Sequence, residues 1–595
     1  MKTLTRLSVS IGLFITPLFF IPITREFYET NKTALLLILS SIAIWTILFA
    51  GLIQRGIVLK QRTIPFLSPL FILAACMTTY SALRLSNPYQ DLVTGSFGPV
   101  TLLPMLVFAV LILLLTAQEK HKFAYPFILY SSIIEGCIVI VATFHPFSSA
   151  SIPESFRFLQ SSGFNTFGNP FDVFSLLLFS VILVVFSDNN RKNRTRAFIT
   201  GLFLTGVLIL LVARTPIREL YRSYAPLDTS TRLLSERLRT PEQFVFGSGV
   251  RSFEWSLPSA KNAAYNSSDS WQVATYLRAP SALLQLAVEG GLVGVLLFIG
   301  SLLHVLYANI IATKRSHLSI ALLSLALILF IIFPVTWYTL FQTIIIVGLT
   351  IPEDERLIRS RFLFVLPTLF LALALTWSSW LFLRYYRAET ATRAALQAVS
   401  EKNARELYQK QSEAVTYFPY GEQYRVDFSQ TNVLLAQELA SQNQTNQDYV
   451  TKAVQTAIQE AQSAVALNNH RASNWANLGS IYGQLLGVEG AQTWAVAAFQ
   501  RAILLDPQNV VYRVQLGTIY YSLKEYSNAV ALFEEAVALK PDHPNGLYNL
   551  AYSYYRVGST EKSKQSFQRL LSILQDKGPE QYSRVLREKE ELLGR

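Results

Sequence analysis

The C-terminal part of the chain contains a stretch that repeats. Residues 516–541 read LGTIYYSLKEYSNAVALFEEAVALKP, and residues 550–574 read LAYSYYRVGSTEKSKQSFQRLLSIL. Leu516, Tyr520 and Phe533 each recur after 34 residues. Their equivalents are Leu550, Tyr554 and Phe567. A fixed period of this length indicates one structural unit that is used several times in succession.

The repeated unit resembles the tetratricopeptide helix-turn-helix. The same pattern precedes it between Trp475 and Pro507, with a small insertion around Gly487–Gly490. Small residues let the two helices of a unit approach, and each unit buries its apolar face by stacking on its neighbours. The sequence therefore predicts an α-solenoid of tetratricopeptide repeats over residues 426–595, closed by a polar helix at 579–593.

The first helices of the predicted units carry polar side chains at related positions. These positions are Asn477, Tyr512, Gln515 and Asn549. Polar groups on the concave face of a solenoid suit recognition better than chemistry. We therefore expect this domain to bind a protein or peptide partner.

The N-terminal two thirds of the chain has a different composition. The 595 residues have a mean hydropathy of +0.32, and the apolar residues concentrate before about residue 383. About eleven apolar segments there are long enough to be transmembrane helices. They lie near 7–22, 33–53, 64–82, 100–117, 125–144, 173–186, 197–213, 283–308, 318–336, 338–351 and 362–383. The predicted fold is all-α: a polytopic membrane domain over residues 1–383, a helical connector over 384–425, and the solenoid.

The net charge of +12 could suggest nucleic acid, but most positive residues lie in short loops between apolar segments, so we expect no nucleic-acid partner. Lysine and arginine in such loops mark the cytoplasmic side of a membrane. One alternate set of loops is rich in them, so we expect a cytoplasmic N-terminus and an extracytoplasmic repeat domain. The two cysteines, Cys76 and Cys137, lie inside apolar segments and offer neither a disulfide framework nor a cysteine metal site.

The loop over residues 214–282 is the long polar excursion of the predicted membrane domain, and it is rich in arginine. Its candidate anion ligands are Arg214, Arg232 and Arg278. Arginine binds phosphate bidentately and stays charged. Glu289 follows inside the next apolar segment, where an unpaired carboxylate is costly. Each of these residues also has a structural interpretation, as a solvated charge, an interfacial anchor or a salt-bridge partner.

Three motifs resemble the bacterial O-antigen ligase and polymerase family. They are the Phe-Gly-x-Gly-x-x-x-Phe turn from Phe246 to Phe253, the stretch LLQLAVEGGLVG from Leu283 to Gly294, and the turn NTFGNP from Asn165 to Pro170. A helix that carries Ser230 and Arg232 lies in the same order. This resemblance covers about residues 1–383. The sequence departs from the family in one respect, because Pro280-Ser281 stands where the family usually has a His-Asn pair.

The resemblance implies a metal-independent glycosyltransferase of the bacterial cell envelope, without a cofactor. It would move a glycan from a polyprenyl-diphosphate donor to an acceptor at the outer face of the cytoplasmic membrane. Arg214, Arg232 and Arg278 would hold the diphosphate, and Glu289 would orient Arg278 or act as the base. Two other functions remain open: a non-catalytic envelope scaffold that presents the repeats, and a transporter of lipid-linked glycans.

Overall fold

The computed structural model describes residues 2–26, 28–53, 57–60, 121–144, 152, 154–161, 163–186, 194–215, 221–273, 275–311, 316–350, 357–360, 362–441 and 447–594. The chain divides into two compact units. The first unit comprises residues 1–253 and 276–420, and the second comprises 254–275 and 421–595. A 22-residue piece of the predicted loop 214–282 therefore belongs with the repeats, whereas the domain boundaries proposed from sequence stay predictions.

The first unit is built from long helices. They are Lys2–Leu18, Glu29–Ile53, Tyr125–Thr143, Pro170–Phe186, Arg194–Arg214, Ala282–Ile311, His317–Ile332, Trp337–Thr350, Phe362–Ser400 and Ala404–Tyr417. Two 3₁₀ helices, His121–Ala124 and Glu154–Gln160, lie between them. Helices thus occupy nine of the predicted apolar segments, and the segments 64–82 and 100–117 lie outside the described residues.

Among the described residues, fewer helices than the predicted eleven have the length and apolarity to cross a membrane. Within the described part of the chain there are four, and they span Glu29–Phe49, Tyr125–Thr143, Thr195–Arg214 and Ala282–Ile311. Four further apolar helices are shorter, and they span Val9–Leu18, Pro170–Phe186, His317–Ile332 and Trp337–Thr350. The number of eleven spans is therefore not confirmed.

The all-α fold class is confirmed in the described residues, which contain one short strand pair beside the helices. Ile57–Lys60 and Leu357–Ser360 form a two-stranded antiparallel ladder, in which Ile57 lies opposite Ser360 and Lys60 opposite Leu357. Two strands of four residues cannot be distinguished by periodicity from the ends of neighbouring apolar segments. The architecture is otherwise helical throughout the described residues.

The predicted connector begins as a continuation of the last apolar helix. One helix of 39 residues runs from Phe362 to Ser400, past the predicted end of the segment at residue 383. It ends at a turn in which Lys402 has a φ of 55°. Helix Ala404–Tyr417 then begins behind Asn403, whose side chain accepts a hydrogen bond from the Glu406 N–H and caps the helix.

The loop between Arg214 and Ala282 contains short helices. They are Leu227–Arg237, Pro241–Phe246, Ser252–Ser256, Leu257–Ala260, Ala263–Ser267 and Asp269–Gln272. In helix Leu227–Arg237, Pro226 occupies the N-cap, and no side chain caps the helix. The Ser230 hydroxyl donates instead to the Pro226 carbonyl at 2.8 Å, one turn back along the helix.

The second unit contains four helix pairs and a terminal helix. They are Glu422–Ser441 with Gln447–Leu467, Ala472–Gly483 with Ala491–Leu505, Val510–Ser522 with Tyr526–Leu539, Pro544–Arg556 with Thr560–Lys577, and finally Pro579–Leu593. The repeat pattern read from the sequence is confirmed in these pairs. The repeats are buried where the pattern requires: Ala529 and Phe533 are fully enclosed, as are Ala551 and Phe567.

Two of the residues predicted to line the concave face pack inside the array. Asn477 donates to the Ser429 hydroxyl at 3.0 Å and accepts from Gln430 at 3.1 Å, so it joins two first helices. Tyr512 is also buried. Gln515 and Asn549 are half-buried and remain accessible.

The helices of a unit touch at a glycine. A Cβ placed on Gly517 would lie 2.7 Å from the Phe533 ring, and one placed on Gly479 would lie 2.7 Å from the Phe499 ring. Gly487 in the insertion has nothing within 4 Å of the same position. In these two units, close approach of the helices therefore depends on the glycine.

We expect Gly517→Val to destabilise the repeats by roughly 1–3 kcal/mol, because the added methyl groups overpack the contact with Phe533. The measurement is the thermal midpoint of the repeat transition in the full chain, followed by circular dichroism. Gly487→Val is the matched control and should change the midpoint little. Equal midpoints for Gly517→Val and the unmodified chain would contradict the packing assigned to Gly517.

Candidate functional site

The glycine turn meets helix Ala282–Ile311 at a kink, where Gly291 is not helical. The Ser248 N–H donates to the Val288 carbonyl at 2.9 Å, and the Gly249 N–H donates to the Glu289 carbonyl at 3.0 Å. Two backbones can approach this closely only without side chains, and a Cβ on Gly247 would lie 2.3 Å from the Glu289 carbonyl oxygen. Gly247 and Gly291 both have positive φ, 74° and 59°. Two motifs that are separate in the sequence thus form one backbone junction.

The Glu289 carboxylate holds this junction from inside. It accepts hydrogen bonds from the backbone N–H groups of Arg251 and Phe253 and from the Gln285 side chain, the last at 3.2 Å. Glu289 is 1% exposed. Gln285 also accepts the Ala279 N–H at 3.2 Å, which links the carboxylate to the residue next to Arg278. Through these partners Glu289 stabilises the glycine turn. Its role as a base stays a prediction.

Arg278 lies in a second polar contact. Its guanidinium pairs with Glu29 at 2.7 Å and hydrogen bonds with Tyr224, and its carbonyl accepts the Ala225 N–H at 3.0 Å. Burial alone lowers the pKa of Arg278, but Glu29 outweighs burial and raises it. Burial raises the pKa of Tyr224, so its phenol stays protonated. The pair fixes a permanent positive charge at the end of the loop.

A third polar contact surrounds the NTFGNP turn. Glu135, in the middle of helix Tyr125–Thr143, accepts hydrogen bonds from the Thr166 N–H at 3.0 Å and from its hydroxyl at 2.6 Å. The buried Lys32 ammonium donates to the carbonyls of Phe19 at 2.8 Å and Thr166 at 2.6 Å. Thr166 therefore joins one buried cation to one buried anion, which is how a charge becomes tolerable away from water.

Asp172 connects these two polar contacts electrostatically. It accepts hydrogen bonds from Thr336 and from Asn169, the latter at 2.9 Å, and it lies within electrostatic range of both Arg278 and Lys32. Asp172 is 2% exposed. The first unit thus encloses carboxylates and cations in a continuous polar region, which contains Glu29, Lys32, Glu135, Asp172 and Arg278.

The other two predicted diphosphate ligands lie in more exposed surroundings. Arg214 is exposed and donates to the Thr143 carbonyl at 3.3 Å, and Arg232 is exposed on helix Leu227–Arg237. Pro280 is buried, and the Ser281 hydroxyl donates to the Ile331 carbonyl at 2.6 Å. Pro280 and Ser281 thus directly precede helix Ala282–Ile311.

Three other buried carboxylates of this polar region were not singled out from the sequence. Glu29, Glu135 and Asp172 each lie in or at the start of an apolar helix. An ionisable residue within an apolar segment is itself a signal of a functional or paired position. That signal singles out Glu289, and it applies equally to the other three carboxylates. Within the described residues, no cluster of three or more potential metal ligands occurs.

A group of tyrosines distinguishes the surface of the second unit. Tyr548, Tyr552 and Tyr555 follow at helical spacing on Pro544–Arg556, and we call these three, with Tyr521 and Arg556, the tyrosine patch. The Arg556 Nε donates to the Tyr521 hydroxyl at 3.3 Å, which links two neighbouring repeats. The Tyr548 and Tyr552 rings lie 4.9 Å apart, and the Tyr552 hydroxyl donates to Glu588 at 3.3 Å.

Comparison with known families identifies the repeats. A family model described as "TPR repeat" matches residues 517–558, and another described as "Tetratricopeptide repeat" matches residues 544–575. The C-terminal region therefore contains tetratricopeptide repeats. The chain is also similar to small glutamine-rich tetratricopeptide repeat-containing protein 2 of Saccharomyces cerevisiae, with 29% identity over 90 residues. That match covers 15% of this chain and 26% of the relative.

Solved structures with a similar repeat region include two tetratricopeptide proteins. TTC0263 of Thermus thermophilus is 17% identical with a TM-score of 0.27, and the match covers 35% of this chain and 98% of that one. YrrB, described as a TPR protein with an unusual peptide-binding site, is 15% identical with a TM-score of 0.25. That match covers 34% of this chain and 92% of YrrB.

We expect Glu289→Ala to open the turn from Gly247 to Phe253, because the backbone N–H groups that Glu289 accepts lose their partner. Each unsatisfied buried donor costs about 1–3 kcal/mol. Glu289→Gln keeps one acceptor oxygen and should open the turn less. The measurement is amide hydrogen exchange of residues 247–256 in the full chain. Glu236→Ala, on a neighbouring helix, is the control; unchanged exchange in Glu289→Ala would contradict the stabilisation of the turn by Glu289.

Proposed function

We propose that this protein is a membrane-anchored scaffold whose tetratricopeptide repeats bind a polypeptide partner through the tyrosine patch. The observation that carries the proposal is the patch itself, on repeats that the family models recognise. Tyrosine rings offer a large contact area at little cost in conformational entropy and are enriched at binding surfaces. Tyr555 is 36% exposed, and Tyr548 and Tyr552 beside it are half-buried.

The patch chemistry favours an extended peptide that carries a carboxylate. Arg556 is exposed and can form a charge-assisted hydrogen bond with such a group, as arginine commonly does. The neighbouring rings of Tyr521, Tyr552 and Tyr555 would pack against apolar parts of the same peptide. Glu588 sits at the side of the patch next to Tyr552 and would disfavour a second carboxylate there.

A photo-crosslinking amino acid at Tyr555 tests this surface in cells that naturally make the protein. We expect a discrete protein adduct, reduced about tenfold or more by Arg556→Glu, because the charge-assisted bond is replaced by repulsion. The same amino acid at Leu504, an exposed position on another helix, is the control. Absence of the adduct at Tyr555, or an equal adduct at Leu504, would overturn the proposal.

The anchor is proposed to be the first unit, with about eleven spans in a bacterial cytoplasmic membrane. Four helices of sufficient length and apolarity support this placement. Helix Thr195–Arg214 is mostly exposed, with Phe198, Leu202 and Ile209 on its surface, as a helix that contacts lipid would be. The loop charges favour a cytoplasmic N-terminus and repeats on the outer side.

A second function, favoured by the setting of Arg278, is an O-antigen ligase-like glycosyl transfer. A fixed guanidinium stabilises a leaving diphosphate. Arg278 is followed by Ala279, whose N–H donates to Gln285, and Gln285 donates to Glu289 at the Gly247–Gly291 junction that carries the family-like motifs. In this proposal a polyprenyl-diphosphate-linked glycan is the donor. Arg278 would contact its diphosphate, with Arg214 and Arg232 as further ligands and Glu289 as the candidate base.

A transfer assay with the full chain in nanodiscs and a polyprenyl-diphosphate glycan tests this second function. We expect Arg278→Ala to slow transfer, because it removes about 2–4 kcal/mol of transition-state stabilisation, as the loss of an oxyanion donor does. Arg278→Lys should recover little, because lysine lacks the planar fork.

Glu29→Gln is the matched variant, since it removes the partner of Arg278 and leaves the guanidinium in place. It should retain transfer if Arg278 acts on the donor. Wild-type protein that binds the donor without transferring it would favour a transporter. Protein that does neither would leave the scaffold as the function.

A further inference from the structure

The segment 254–275 lies along one edge of the repeat array within the second unit. That edge is formed by the three turns between successive repeats, at residues 468–471, 506–509 and 540–543. We call it the turn edge. The segment follows the turns in order, and each turn supplies at least one specific contact.

The first contact joins the start of the segment to the turn 468–471. The Arg471 guanidinium pairs with Glu254 at 2.5 Å and with Glu422 of the first repeat at 2.9 Å. The Trp255 ring stacks on the His470 ring, with centroids 4.9 Å apart and an interplanar angle of 24°. One arginine thus receives a carboxylate from the array and another from the segment.

The second contact is a buried ion pair. The Lys261 ammonium lies 3.0 Å from the Asp506 carboxylate, and the two side chains are 5% and 2% exposed. The ammonium also lies 4.9 Å from the centre of the Tyr265 ring. The Asn266 side-chain amide donates to the Gln508 carbonyl at 3.0 Å. A charge buried this deeply is costly unless its partner is present.

The third contact holds the end of the segment. The Trp271 ring meets the His543 ring edge to face at 5.7 Å, and the Lys540 ammonium lies 5.0 Å above the Trp271 ring. The His543 Nδ1 accepts the Gly546 N–H at 2.9 Å, so this imidazole caps the next helix as well. Burial and the nearby Lys540 lower the pKa of His543, which keeps the ring neutral and able to accept.

We propose that the turn edge is a sequence-specific peptide-recognition site, and that its occupant is the 254–275 segment of the same chain. The site reads a carboxylate and a tryptophan, then an ammonium, then a second tryptophan, at the spacing of successive repeats. It uses none of the residues of the tyrosine patch. The array therefore has two separate binding surfaces, and the turn edge is occupied by the 254–275 segment of the same chain.

The chemistry of the site explains why its occupant is selective. If an unrelated peptide lay over Asp506, this carboxylate would be removed from water without a cation beside it. Lys261 would lose its carboxylate partner in the same event. Recognition of this kind disfavours a wrong partner because its binding leaves a buried charge unpaired, which costs more than the loss of a favourable contact. Because the segment is covalently attached, it also competes at a high effective concentration against any free peptide.

Charge reversal in the full chain, held in nanodiscs, tests the proposal through amide hydrogen exchange of residues 254–275. We expect Lys261→Asp and Asp506→Lys each to accelerate exchange of the segment about a hundredfold, because each leaves an uncompensated buried charge. The double variant restores the pair in reverse and should exchange within about tenfold of the unmodified chain. Lys452→Glu, on an exposed helix surface of the array, is the control and should change nothing.

Trp271→Ala provides an independent check that leaves the array unaltered. It should accelerate exchange around residues 269–273 while the thermal midpoint of the repeats stays the same. The proposal is overturned if the single reversals leave exchange of 254–275 unchanged, or if the double variant exchanges as fast as either single one. It is also overturned if Trp271→Ala leaves exchange at 269–273 unchanged. The tyrosine patch is tested by crosslinking at Tyr555 and the turn edge by hydrogen exchange of residues 254–275. A negative result for one proposal can therefore be distinguished from a negative result for the other.

Discussion

The pairing of buried charges is the constraint on which both units depend. Lys32 reaches two carbonyls beside Glu135, Arg278 reaches Glu29, and Lys261 reaches Asp506. Each side chain is removed from water, and removing its partner would cost more than the pair itself contributes. These contacts therefore do more to select one arrangement of distant segments than to add net stability.

The repeats were predictable from sequence because their signal is periodic and local. Leucine, glycine and phenylalanine recur at fixed spacing because each helix packs on the next. The positions of Leu516, Gly517 and Phe533 therefore predict their packing contacts. Long apolar segments could also be predicted as helices. The strand pair at Ile57–Lys60 could not be predicted, because four residues are too few to show a period. The full length of helix Phe362–Ser400 was missed, because no change in the sequence marks residue 383 as an end of the helix.

The candidate site was predictable only in part, and the reason is the kind of bond that builds it. The sequence singled out Gly247, Gly291 and Glu289, yet what joins them is backbone hydrogen bonding between distant segments, which leaves no periodic trace. The pairing of Arg278 with Glu29 crosses 249 positions of chain. Likewise, nothing in the composition of residues 254–275 marks them as belonging with the repeats rather than with the loop around them.

That last assignment bears on how the protein is made. Lys261 and Asp506 are 245 residues apart in the sequence. At a synthesis rate of about 5–20 residues per second, the segment would wait roughly 12 to 49 seconds for its turn to emerge. During that interval Trp255, Trp271 and a lone ammonium must remain exposed or be shielded by another protein. A nascent chain that has not yet reached residue 506 therefore lacks the carboxylate that neutralises Lys261, and this edge of the array can form only after the second repeat has been made.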